Sequence, residues 1–173
     1  AKVMAENHGT TLEIVVSGEG NGVIKVQLFD DVAPLHVERI VQMANDGAYD
    51  GVVFHRVIAG FMAQTGDVEF GKTGGDLSMA GRGGSAYPDL AAEFSDVSFT
   101  RGVIGMARSN SPDSANSQFF IMFTDTPNLN GQYTVIGRVT EGMDIVDAIK
   151  LGKGANGSVI GQPDFMKTVT VTQ

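Results

Sequence analysis

Phe54-His55-Arg56-Val57-Ile58-Ala59-Gly60-Phe61-Met62-Ala63-Gln64-Thr65-Gly66-Asp67 is the stretch on which the reading of this 173-residue chain turns. It begins inside a run, 52–58, whose β-branched and aromatic residues predict a strand. An arginine stands in that strand and is followed by two large apolar residues, Phe61 and Met62, and an amide, Gln64. Alone, such an arginine is ordinarily structural. His55, set between Phe54 and Arg56, is better explained by burial with a satisfied hydrogen bond than by catalysis.

Its counterpart is Ser117-Gln118-Phe119-Phe120-Ile121-Met122-Phe123. Strand alternation puts Gln118, Phe120 and Met122 on one face and Phe119, Ile121 and Phe123 on the other. One face can fill a core while the other lines a groove.

Outward from these two segments the patterning is that of short strands and tight turns. Leu12, Ile14 and Val16 alternate with Glu13 and Val15, a glycine-rich turn follows at 17–22, and 23–29 resumes the alternation, which predicts a β-hairpin. Pro34 opens a helix over 34–45, with Leu35, Val37, Ile40, Val41 and Ala44 at helical spacing and Gly47 as its left-handed stop. The stretch 66–84 holds seven glycines, too many for a helix or a packed strand, and reads as a long functional loop. Further strands are predicted at 94–99, 103–106, 118–123, 134–139 and 167–172, with a second helix at 143–150 and a surface loop at 152–161. Strands on this scale with two helices suggest a barrel or sandwich. One core suffices for the length, so 1–173 is read as a single domain.

Composition removes whole classes of function. Twelve Lys and Arg against twenty Asp and Glu give a net charge of −8 and a pI near 4.7. Phosphate backbones and anionic lipid are repelled, so neither nucleic acid nor membrane is expected as a partner. With no cysteine, disulfides, thiolate nucleophiles and sulfur-bound zinc are excluded. His8, His36 and His55 are too scattered for a metal site, and no cofactor is expected. No apolar run approaches the roughly 20 residues of a membrane span, and 1–11 lacks a signal-peptide pattern. A cytoplasmic location is expected, or a periplasmic one if a leader has been removed. Asp30, Asp31, Glu93 and Asp96 fall at turns and strand ends, where capping and solvation explain them, and no serine sits in a nucleophile elbow.

One motif is a false lead. Gly66-Asp67-Val68-Glu69-Phe70-Gly71-Lys72-Thr73 matches the phosphate-binding pattern G-x-x-x-x-G-K-[ST]. That pattern works by opening a helix, which Gly74, Gly75, Gly81, Gly83 and Gly84 cannot sustain, and Asp67 and Glu69 would repel a nucleotide. A nucleotide-dependent enzyme is the rival this removes.

At the two segments quoted first the chain resembles the cyclophilins. Residues 54–67 match their F-H-R-x-I-x-G-F-M-x-Q-x-G-D signature and 117–121 match S-Q-F-F-I. The likeness continues through Gly102-Val103-Ile104-Gly105-Met106-Ala107, Thr73-Gly74-Gly75, Leu129-Asn130-Gly131 and Val135-Ile136-Gly137-Arg138-Val139, and covers roughly 12–172. It implies a closed eight-stranded antiparallel β-barrel capped by two α-helices, acting without metal or cofactor as a monomeric peptidyl-prolyl cis/trans isomerase. Its partners would be proline-containing peptides and unfolded or folded protein clients. A catalytically idle, cyclophilin-like peptide-binding module or holdase is the remaining alternative, disfavoured because the family's site residues are present together.

By position, the resemblance makes Arg56 the catalytic arginine and builds the proline pocket from Phe61, Met62, Phe120 and Leu129. Gln64, Gln118 and the backbone at Ala107 and Arg108 would hold the peptide, Tyr133 would close the rim, and Thr73 and Ser109 would border the neighbouring pocket. Asn128 stands where a tryptophan is common in the family, and it offers neither the apolar area nor the indole donor. Weak cyclosporin binding is therefore expected. Arg108 replaces a frequent asparagine, and the loop 109–116 is about one residue longer than usual, which should change sequence preference beside the proline and leave the chemistry alone.

Overall fold

Residues 9–172 are described in a computed structural model of the chain; the stretch 1–8, which carries His8 and most of the signal-peptide reading, lies outside the described residues. The predicted hairpin is present: β1 (Thr11–Ser17) and β2 (Gly22–Leu28) pair antiparallel with Ile14 opposite Ile24. Helix α1 (Pro34–Asn45) has the predicted bounds, and Gly47 follows it at φ +72°. Then come β3 (Val52–Val53), β4 (Arg56–Ile58), β5 (Met62–Thr65), β6 (Val103–Met106), β7 (Phe119–Met122), a 3₁₀ turn (Pro127–Leu129), β8 (Val135–Glu141), α2 (Met143–Asp147) and β9 (Phe165–Thr172).

The nine strands form one curled antiparallel sheet in the order β3-β9-β1-β2-β8-β6-β7-β5-β4. The expected closed eight-stranded barrel is thus corrected to an open, nine-stranded half-barrel. The reason lies at Phe54 and His55. The predicted strand 52–58 breaks there, and its halves go to opposite edges: β3 pairs with β9, β4 with β5. At the break the Phe54 N–H donates to the Asp164 carbonyl (2.8 Å) and the His55 carbonyl accepts from Val159 (3.1 Å). These backbone groups are satisfied by loop chain, so no ladder joins the edges among the described residues.

The concave side of the sheet holds the main core, including Ile14, Ile24, Val57, Ala63, Ile104, Phe119 and Ile121. Helix α1 adds Val37, Ile40 and Met43 to it. Its first turn has no side-chain cap of its own. Instead the Glu93 carboxylate accepts the N–H groups of Leu35 (3.2 Å) and His36 (2.9 Å), and lies 2.5 Å from His36 Nδ1. That places an anion on the positive end of the helix dipole.

Two further predicted elements differ. No strand forms at 94–99, because the backbone donors there are met by side chains: Val97 N–H by Ser95 Oγ (3.3 Å) and Phe99 N–H by Asn130 Oδ1 (2.7 Å). The second helix is shorter than 143–150, ending at Asp147.

Candidate active site

Register decides which side chains share the outer face. Arg56 on β4 lies opposite Gln64 on β5, Gln64 opposite Phe120 on β7, Phe120 opposite Gly105 on β6, and Gly105 opposite Val135 on β8. Directly paired residues project to one side of a sheet, so a single row carries guanidinium, amide and aromatic ring onto the convex surface. Alternation sends their neighbours Val57, Ala63, Phe119 and Ile121 inward.

A second apolar cluster covers this convex row: Phe29, Met62, Phe99, Val103, Phe120, Met122 and Val135 are buried, with Phe61, Ala107, Leu129 and Tyr133 partly buried against them. Phe120 stacks on Phe99 (5.9 Å, 17°), and Tyr133 meets Phe120 edge-on (5.6 Å, 88°). Gly105 makes room for this. A Cβ there would lie 2.6 Å from Phe99 and 2.8 Å from Phe120.

The cluster leaves a slot of about 140 Å³ lined by Arg56, Phe61, Met62, Gln64, Ala107, Arg108, Phe120, Leu129 and Tyr133. A dry cavity of about 150 Å³ holds a benzene ring, so this one is the size for a five-membered ring. All nine of these lining residues are among those singled out from the sequence.

Arg56 is held at its edge by a hydrogen-bonded line. Its Nε donates to the Asn156 carbonyl (2.8 Å) and its Nη1 to Gln64 Oε1 (3.0 Å). Gln64 Nε2 donates to Gln118 Oε1 (3.0 Å), and Gln118 Nε2 to the Gly83 carbonyl (2.9 Å). A guanidinium only donates and a carbonyl only accepts, so the two amides between them have one consistent orientation. Among the described residues no hydrogen bond engages Nη2, leaving its donors for the slot.

A second, polar cavity of about 420 Å³ adjoins the first through Gln64, Ala107 and Arg108, and is lined also by Arg82, Ser109, Asn116 and Gln118. Ser109 thus lines the polar cavity. The Ala107 N–H is engaged by the Gln118 carbonyl (3.0 Å). Arg108 divides the two cavities. Its guanidinium lies 4.5 Å from the Tyr133 ring centroid and donates to the Gln132 carbonyl (2.8 Å). Two expected residues line neither cavity. Thr73 accepts from Gln162 (3.0 Å) and packs by Gly51, and Asn128 is exposed on the 3₁₀ turn.

The phosphate-like loop is occupied with itself. The N–H groups of Glu69 and Phe70 donate to the Asp67 carboxylate, and Lys72 Nζ donates to the carbonyls of Ala48 (2.6 Å) and Asp50 (2.9 Å). Burial holds Lys72 below the ordinary lysine pKa, opposed by Asp50. His55 is a correction: its ring is half-buried against the Gly81 position, and its buried Nδ1 has no hydrogen-bond partner among the described residues. Burial lowers its pKa to about 4, with Asp67 opposing and Arg56 assisting. It is thus neutral beside Arg56 near pH 7. Among the described residues no three His, Asp or Glu side chains gather as a metal site.

Sequence reasoning missed Asn156, Gly83, Phe99 and Gly105. The first two act through backbone carbonyls, which carry no residue signature. The last two sit where shape alone matters.

A curled antiparallel sheet thus carries an apolar slot and an adjoining polar cavity as one groove on its outer face. The family profile described as "Cyclophilin type peptidyl-prolyl cis-trans isomerase/CLD" matches residues 11–172. A relative from Brucella suis biovar 1 (strain 1330), named "Probable peptidyl-prolyl cis-trans isomerase", is 56% identical over 153 residues, 87% of this chain and 78% of that one. A cyclophilin-type isomerase structure from Cryptosporidium parvum aligns at TM-score 0.80 and 23% identity, covering 96% of this chain and 99% of that one. A second structure of that protein, in the presence of the dipeptide Ala-Pro, aligns at TM-score 0.78 and 22% identity, covering 94% and 99%. The chain belongs to the cyclophilin-type peptidyl-prolyl cis-trans isomerases.

Proposed function

We propose that this chain isomerises Xaa-Pro bonds by binding the pyrrolidine ring in the small slot and hydrogen-bonding the prolyl nitrogen from Arg56 as the imide twists. Amide resonance sets a barrier of roughly 18–20 kcal/mol to that rotation. In the twisted state the nitrogen is pyramidal and regains a lone pair. A donor that meets this lone pair, absent in the planar ground state, lowers the barrier by differential binding. Phe61, Met62, Phe120 and Leu129 anchor the ring by apolar burial, while Gln64 and Gln118 hold the flanking peptide. No proton is transferred.

The observation that carries the reading is a guanidinium held through Nε and Nη1 at the mouth of an apolar slot of ring size. The substrates are proline-containing peptides and unfolded or folded protein clients, with the chain acting as a monomer. The test is protease-coupled or exchange-detected isomerisation of a proline tetrapeptide. Arg56→Ala is expected to fold normally and lose about 10²-fold in kcat/KM, roughly 2.7 kcal/mol. Unchanged turnover would eliminate the assignment.

A further inference from the structure

Asp67 ends the signature stretch but touches no slot, and the mechanism above gives it no task. It is fully buried. Its Oδ1 accepts the N–H groups of Glu69 (3.0 Å) and Phe70 (2.8 Å), and its Oδ2 those of Gly81 (2.8 Å) and Gly83 (2.9 Å). Hydrogen bonds to a carboxylate are about twice as strong as neutral ones. The Gly83 position is pressed against this carboxylate: a Cβ there would lie 2.5 Å from Oδ1 and 2.7 Å from Glu69 Cβ. Gly83 is also the residue whose carbonyl accepts from Gln118.

We propose that Asp67 is a positioning residue for the isomerisation, fixing the Gly83 carbonyl and through it the direction of the Gln118–Gln64–Arg56 line. The inference rests on the role given to Arg56. The Gly83 carbonyl is the acceptor-only end of that line. If it moves, Gln118 is free to turn its amide, and Gln64 can then present NH₂ rather than oxygen to Arg56 Nη1. Two donors cannot bond, so the guanidinium loses one of its two tethers. Misplacement on the order of 1 Å at a reacting group is enough to cost up to about 10²-fold. An asparagine cannot substitute at position 67, because one side of a carboxamide faces the loop N–H groups with donors.

Asp164 is the built-in comparison. It is also buried and accepts the N–H groups of Glu19 (2.8 Å), Gly20 (2.8 Å) and Lys150 (3.2 Å), but the side chain holds the β1–β2 turn and has no link to the line. The experiment measures kcat and KM on a proline tetrapeptide, per folded molecule, for full-length Asp67→Asn, Gln118→Ala, the double variant and Asp164→Asn. Asp67→Asn is expected to lower kcat about tenfold with KM changed less than about threefold, and the double variant to lose no more than Gln118→Ala alone. Asp164→Asn is expected to lower the melting temperature and leave kcat alone.

Wild-type kcat in Asp67→Asn, or losses that multiply in the double variant, would overturn the proposal. If Asp67→Asn does not fold, Gly83→Ala with Asp67 retained replaces it in the same cycle with Gln118→Ala. Non-multiplying losses then support the proposal and multiplying ones overturn it. Arg56→Ala run alongside separates the two ideas: a loss there with none at Asp67 removes only the positioning role, and no loss there removes the role of Arg56.

Discussion

Strand β7 shows two faces made from nearly the same materials. Phe119 and Ile121 enter the concave core with Ile104 and Ala63, whereas Phe120 and Met122 join the convex cluster with Phe99 and Val135. Both sets are buried and apolar. What separates them is the company kept along the register row: the convex one adds Arg56, Gln64 and the side-chain-free Gly105, which together leave a slot with a donor at its edge. Hydrophobicity builds both faces, and a gap beside a fixed cation is what sets the convex one apart.

The sharpest way to break this division is from the inside. Ile121→Ala removes a fully buried concave side chain and is expected to cost about 2–5 kcal/mol of unfolding free energy, with turnover per folded molecule preserved. Denaturant titration and an isomerisation assay on the same preparation check it; a loss of turnover without a loss of stability would mean the faces are not separate.

Acid sharpens the same contrast. Burial lowers the His55 pKa from the ordinary 6.5 to about 4 in the folded state. Between these values the unfolded chain binds more protons. The stability that His55 contributes is therefore complete above pH 6.5 and lost as pH falls toward 4, by roughly 3 kcal/mol in all. Denaturation curves at several pH values are expected to slope upward across that window and to flatten in His55→Gln. Turnover of the folded protein should stay flat around neutrality, since no step transfers a proton.

On the convex face, Gly105→Ala drives a methyl group toward Phe99 and Phe120. Overpacking of this kind costs about 1–3 kcal/mol. It should show chiefly as a raised KM for proline peptides, measured by steady-state kinetics. The smallest effect belongs to the exposed Asn128. Cyclosporin is expected to inhibit weakly, and Asn128→Trp to tighten it about tenfold, near 1.4 kcal/mol. Nanomolar inhibition of the unsubstituted chain would contradict this.

How much of this was legible in the sequence differs by face. Alternation in 117–123 assigned Phe119 and Ile121 against Phe120 and Met122 correctly, because period-two patterning is a local property of a strand. The hairpin and β6 were legible for the same reason, and α1 because its 3.6-residue spacing is equally local. The barrel's opening was not: 52–58 is uniformly strand-like, and only long-range pairing splits it at Phe54 and His55. The segment 94–99 misled because its apolar residues fit a strand, while Ser95 and Asn130 took its backbone donors instead. Thr73 was assigned by family position, yet it packs by Gly51. His55 was expected to be satisfied, yet its Nδ1 has no hydrogen-bond partner among the described residues. For Arg56 the residues alone pointed to a structural role. The resemblance singled it out, and the register row sets it beside Gln64 at the edge of the slot.

The most direct test separates binding from turnover at Arg56. Kd for a proline tetrapeptide and its catalysed exchange rate would be measured by NMR on one sample of Arg56→Ala. If the guanidinium meets the prolyl nitrogen only when the imide is twisted, Kd should move less than about threefold while the exchange rate falls about 10²-fold. Parallel losses in binding and exchange would mean that Arg56 holds the planar peptide equally well, and would contradict the account.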